Sequence, residues 1–262
     1  MRSGRECQVR LTESPSTSCH KGILKPCPVQ IPYIVTPSTR IRTPTCLLRP
    51  WRPEDAPSLA KYADNPRIAA SLRDSFPSPY TLEDANRFIA YATWIATGAG
   101  SGPLPGFPFF PSPGASSGPS GSTSSESSAP PLPSTSPGSP AGSSCRTPTD
   151  LLLAIEVEGQ AVGGIAVTLL DDVYHRTAEV GYWLGEPFWG RGIMTDAVAA
   201  VVPVAFVRFP IVRLQAGVFA NNPASMRVLE KCGFVREAVL HNAITKNGVL
   251  LDEVMHVRFR DR

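Results

Sequence analysis

Residues 98–144 set what the rest of this chain can build. These 47 residues contain 15 Ser, 11 Pro and 9 Gly, and Glu126 is the single charged residue among them. Such a stretch lacks the apolar surface that offsets the entropy of ordering a backbone, so a disordered insert is expected over 98–145. The first 38 residues read as a loose N-terminal segment. Setting both aside leaves about 176 of the 262 residues, 39–97 and 146–262, which suits one domain interrupted by the insert. Pro-x-x-Pro spacings begin at Pro108, Pro130 and Pro137, and Ser112, Ser136 and Ser139 each precede a proline. SH3-type domains read such spacings. The insert is therefore either a plain spacer or a docking segment open to phosphorylation.

Charge narrows the partners. Twenty-five basic against 22 acidic residues leave a net charge of +3, without the long basic stripe of a nucleic-acid binder. No run of 18 apolar residues occurs, so no membrane span is expected. Glu6 and Glu13 interrupt the arginines of the first residues, which lack the apolar stretch of a signal peptide. The six cysteines are scattered. Cys19, His20 and Cys27 are not followed by a second ligand pair at finger spacing, so no metal is expected. A reducing compartment follows, the cytoplasm with the nucleus left open.

Periodicity orders the elements. Residues 45–50 read as a first strand. Pro53, Glu54 and Asp55 open a helix with its acids in the first turn, and Leu59, Tyr62 and Ala63 fall at helical spacing. A loop is expected over 65–80. Thr81, with Asp84 three residues on, caps a helix through Phe88, Tyr91 and Trp94. After the insert, strands are expected at 150–157, 160–170, 178–184, 212–219, 234–240 and 249–259. Helices are expected at 193–206, kinked by Pro203, and from Asn222 and Pro223 to Gly233. The fold class is α+β (mixed α/β), a central mixed sheet flanked by helices.

The chemistry concentrates at Trp189-Gly190-Arg191-Gly192-Ile193-Met194, between a strand and an apolar helix. Glycines let a ligand approach the backbone, and the first amides of the helix have no internal partner. That combination cradles an anion, each amide contributing roughly 1.5–3 kcal/mol to a charged acceptor. Arg191 adds a cation. A plain strand-to-helix turn explains the same glycines. No Gly-Lys-Ser or Gly-Lys-Thr follows, and Thr195 stands where a dinucleotide fingerprint has its third glycine.

The runs AEVGYWLGEPFWGRGIMTDAV (178–198) and FANNPASMRVLEKCGFVREAVL (219–240) resemble the GNAT N-acetyltransferases, and most nearly the RimJ/RimL-like branch; FPSPYTLEDANRFI (76–89) resembles the segment before the second helix of that branch. Pro187 departs from the Gln or Arg that usually opens the pyrophosphate motif. The resemblance covers 45–97 and 146–260. It implies acetyl-CoA as the acetyl donor. It implies that Val180, Gly181, Tyr182, Trp183 and Leu184 form a splayed strand pairing with the pantetheine arm. Gly190, Arg191, Gly192, Ile193 and Met194 would hold the pyrophosphate, and Asn222 would lie near the thioester. Asn222 also reads as a simple N-cap.

Acetyl transfer moves two protons. Neutralising a lysine amine at pH 7 costs about 4.6 kcal/mol, and an α-amine only about 1 kcal/mol. Glu179, in the strand leading to the loop, is the candidate base; a surface role or a pairing with Arg176 is the alternative. Many GNAT enzymes have a tyrosine acid four residues before the Gly-Phe pair, where this chain has Leu229. Ser225 matches the serine of the RimJ/RimL-like pattern and is the candidate acid. His241 is a further one. Tyr80 is placed at the acceptor pocket. The expected activity is acetyl-CoA-dependent acetylation of a primary amine, on a protein N-terminus or a small molecule. The competing class is a non-catalytic acyl-CoA-binding or scaffold module that uses the insert.

Overall fold

The apolar runs at 151–155 and 161–167 are too continuous for strands wetted on one face, and both are buried throughout. They form the centre of the domain in a computed structural model that describes residues 39–97 and 150–261. The expected loose segment and the expected insert, with its Pro-x-x-Pro spacings, lie outside the described residues.

Among the described residues the strands are β1 (Ile41–Arg42), β2 (Leu47–Arg49), β3 (Asp150–Val157), β4 (Gln160–Leu169), β5 (Thr177–Leu184), β6 (Arg213–Phe219), β7 (Val235–Lys246) and β8 (Val249–Phe259). The helices are α1 (Ala56–Ala63), α2 (Pro66–Ala69), α3 (Leu82–Thr97), α4 (Ile193–Arg208) and α5 (Pro223–Lys231). One mixed sheet runs β1-β2-β3-β4-β5-β6-β8-β7. Every pairing is antiparallel except β5 with β6.

Each face of the sheet is covered by helices with a stripe at helical spacing. On α4 the buried residues are Ile193, Met194, Ala197, Val198, Val201, Val202 and Ala205, and with α5 they close one face. On α3 they are Ala85, Phe88, Ile89, Ala92 and Ile95, and with α1 they close the other. Thr81 and Asp84 make the expected reciprocal cap of α3: the Asp84 amide donates to Thr81 Oγ1 at 3.1 Å and the Thr81 amide to Asp84 Oδ2 at 2.9 Å. The mixed sheet flanked by helices is the fold class read from the sequence.

Three local expectations change. The first strand is shorter than 45–50 and is preceded by β1. The loop at 65–80 contains α2, a single turn capped by Asn65, whose Oδ1 accepts from the Arg67 amide at 2.8 Å. β7 continues to Lys246, well past residue 240. It is an edge strand with a mostly exposed surface and two register shifts, so its polar residues suit a half-solvated strand. α4 continues for five residues beyond Pro203.

Candidate active site

β5 and β6 begin as parallel neighbours and then part. They pair only at Thr177–Arg213, Ala178–Leu214 and Glu179–Gln215. Beyond that point Val180, Gly181, Tyr182, Trp183 and Leu184 stay bonded to β4 alone. Ala216, Gly217, Val218 and Phe219 stay bonded to β8 alone. The facing backbone edges are left without strand partners, and unpaired amides and carbonyls are strong hydrogen-bonding groups. A cleft of about 760 Å³ opens there, lined by residues of both strands and by the starts of α4 and α5.

The glycine loop closes one end. Gly190 and Gly192 have φ of +73° and +79°, a region that L side chains rarely adopt. A Cβ at either position would meet nothing within 4 Å, so backbone conformation, and not crowding, requires glycine. Gly192 is the N-cap of α4 and has no side-chain cap. The first amide with a partner in the helix is Asp196, which donates to the Gly192 carbonyl at 3.0 Å. The amides before it are the orphan donors of a helix start, beside an exposed cleft. Gly190, Gly192, Ile193 and Met194 line that cleft; Arg191 does not, its guanidinium lying 5.5 Å from the Phe188 ring centroid. Arg67 of α2, which pairs with Glu186 and lies 5.2 Å from the Trp189 ring, reaches the wall, as do Arg227 and Lys231 of α5.

α5 starts at the far side of the gap. Asn222 Oδ1 accepts from the Ser225 amide at 3.1 Å, and Pro223 holds the first helical position. Asn222 is thus an N-cap that also lines the cleft. Alternation along β5 sends Tyr182 toward this helix, and its hydroxyl lies 2.9 Å from Ser225 Oγ. Burial pushes the Tyr182 phenol up, partly offset by the bond to Ser225, so it stays a proton donor.

Glu179, Gly181 and Trp183 point to the opposite face of the sheet. Glu179 is 16% exposed and its Oε1 accepts from Arg73 Nη2 at 2.8 Å. Burial raises the Glu179 carboxyl above the ordinary range; Arg73 pulls it down, and Glu253 raises it further. Arg176 is not its partner. Trp51, Phe76 and Trp183 supply apolar wall on this side, Phe76 lying 5.9 Å from Trp183 between ring centroids.

Besides Arg191, two residues sit elsewhere than expected. Tyr80 is 4% exposed, packed 5.0 Å from Phe76 with its amide on Asp64; Arg73, Ser75 and Phe76 of the same loop line the cleft instead. His241 lies on exposed β7 against Asp252 at 3.0 Å and is not on the cleft wall. Sequence reasoning missed Arg73, Glu253 and the Tyr182–Ser225 bond. The only signal for Glu253 was the acidic pair Asp252-Glu253 within β8; for the other two, partners more than 40 residues apart left none.

Residues 142–235 match the family model described as the acetyltransferase (GNAT) domain. "Probable N-acetyltransferase YjcK" of Bacillus subtilis (strain 168) is 46% identical over 77 residues, 29% of this chain and 42% of that protein. The ribosomal-protein-serine acetyltransferase of Escherichia coli (strain K12) is 29% identical over 104 residues, 40% of this chain and 58% of that protein. The chain thus spans about half the length of the curated relatives it matches. RimL, a ribosomal L7/L12 alpha-N-protein acetyltransferase solved in complex with coenzyme A, superposes with a TM-score of 0.59 at 18% identity, covering 84% of this chain and 98% of that one. The sheet, the splayed strands and the glycine loop thus accompany a match to the acetyltransferase (GNAT) domain over residues 142–235 and a fold shared with RimL.

Proposed function

We propose that this chain transfers an acetyl group from acetyl-CoA to a primary amine by direct attack in a ternary complex. The parting of β5 from β6 carries the reading, because it leaves an unpaired strand edge between a helix-start anion cradle and a half-buried carboxylate. The residues fit the donor. The free edge of Val180, Gly181, Tyr182, Trp183 and Leu184 offers amides and carbonyls to the pantetheine amides. The amides at Gly190, Gly192, Ile193 and Met194 suit the pyrophosphate, with charge from Arg67. Asn222 and Ser225 stand where the thioester end would lie. Acetyl-CoA, when bound, supplies the acetyl group as an activated thioester.

Glu179 takes the proton of the acceptor ammonium, directly or through one water. The neutral nitrogen then bonds to the acetyl carbon as the carbon–sulfur bond breaks. Ser225, hydrogen-bonded to Tyr182, gives its proton to the departing thiolate; the nitrogen sheds its second proton to solvent as the amide forms, and Ser225 is reprotonated from solvent through the tyrosine, while Glu179 releases the first. The acceptor is a protein N-terminus or a small amine; RimL and the Escherichia coli relative carry names that specify ribosomal-protein acceptors.

Glu179→Gln keeps the shape and removes the proton affinity. Turnover should fall by roughly 10²–10⁴, with acetyl-CoA affinity unchanged. The raised carboxyl gives the sign of the pH effect: the base is lost as pH falls through a value above the ordinary carboxylate range. The mutant should lose that acid limb, and its defect should shrink at high pH, where the amine is already neutral. Ser225→Ala should instead keep its defect at high pH. A pH-independent loss in Glu179→Gln would reassign Glu179 to positioning.

A further inference from the structure

Glu253 belongs to β8, yet its carboxylate lies across β6. A Cβ built on Gly217 would fall 2.1 Å from Glu253 Oε1, so the side chain occupies the space above this glycine and faces the gap between β6 and β5. It lines the same cleft as Glu179 and couples electrostatically to it. Among the described residues no hydrogen bond or ion pair engages Glu253. Glu179 and Glu253 thus both line the cleft, and Arg73, on the same lining, bonds to Glu179.

An acetyl-transfer cleft needs one base. A second carboxylate that is partly buried and unneutralised changes which molecules enter. An ammonium is attracted to it; a carboxylate close to that ammonium is repelled, and like charges brought together in a narrow cleft are an effective bar to wrong ligands. Resting on the acetyltransferase reading above, we propose that Glu253 is a specificity-determining residue that admits amines with no neighbouring carboxylate, such as peptide N-termini and alkyl amines, and rejects the zwitterions of free amino acids. Glu253 is not the base, and it acts on binding more than on turnover.

Alanine amide and free alanine test this, since they differ by one charge beside the amine. Their binding to the CoA-loaded full chain is measured by calorimetry, and their kcat/KM for acetylation in parallel. The unaltered chain should prefer the amide at least tenfold. Glu253→Gln should narrow that preference about tenfold, mostly through KM, and comparing the two chains cancels the difference in amine basicity. Gly217→Ala, which displaces the carboxylate without removing it, should narrow the preference in the same direction. A preference unchanged in both variants, or no amide binding to the unaltered chain, overturns the proposal. If the binding preference narrows as expected but no acetyl group moves, the role of Glu253 stands and the proposed reaction falls.

Discussion

Arg49 is 1% exposed, an unusual place for a full charge. Its fork donates to Asp55 at 2.6 and 2.8 Å, and its Nε donates to Glu156. This bidentate pair clamps β2 to the turn before α1 and to β3. Such pairs are expensive to bury but far more expensive to break, because the stranded charge has no water to return to. Arg49→Ala should lower the unfolding free energy by about 3–5 kcal/mol, read from urea denaturation, while a surface change such as Arg236→Ala should stay within about 0.5 kcal/mol. The sequence showed Arg49 only as part of a short strand. By contrast, Asn222 was legible as an N-cap, because helix capping is a local rule; Glu179 was read from its place in the strand, and Ser225 from the resemblance. Their companions were not. The bonds Arg73–Glu179 and Tyr182–Ser225 join residues 106 and 43 positions apart, and no local rule reaches that far. Tyr80 lies off the cleft for a related reason: the resemblance put its loop at the acceptor pocket but could not tell which of Phe76 and Tyr80 lines it.

The start of α4 is the element on which donor binding turns. Its amides are free because Gly192 takes φ of +79°, which turns the chain without spending a side chain on the cap. Gly192→Val forces a β-branched residue into that region, a strain of roughly 1–3 kcal/mol. Since a Cβ there meets open space, the fold should survive and the loop should relax away from its cradle geometry. Acetyl-CoA affinity by calorimetry should drop at least tenfold, with melting temperature little changed; equal affinity would place the pyrophosphate elsewhere. Elements of this kind were readable: the glycines, the Thr81 cap and the apolar runs announce themselves over a few residues. β7 was less so. Its polar residues suggested a strand ending near 240, whereas an edge strand keeps pairing with solvent on one side and absorbs irregularity as bulges.

Across the whole molecule, the domain is assembled from two stretches of chain. α3 ends at Thr97 and β3 begins at Asp150, and both belong to the same layered unit. Composition located that division, since a Ser/Pro/Gly run is unmistakable, and alternation gave the mixed sheet. The parting of β5 from β6 was implied by the resemblance alone, because a strand's pattern says which side is buried and not where a neighbour lets go. Replacing 98–145 by a short Gly/Ser linker should leave melting temperature and acetyl-CoA affinity unchanged, since loop length enters closure entropy only logarithmically; a large loss of either would mean that the segment packs on the domain.

The most direct measurement of the central claim is stoichiometric. The full chain is mixed with acetyl-CoA alone and then with a panel of peptide N-termini, alkyl amines and polyamines, and free thiol and acetylated amine are counted together. Transfer by direct attack predicts no thiol without an acceptor and one thiol for each amide formed when the right amine is present, with both products lost together in Glu179→Gln near neutral pH. Tight acetyl-CoA binding with no thiol released in the presence of any amine would contradict it and leave an acyl-CoA-binding module in its place.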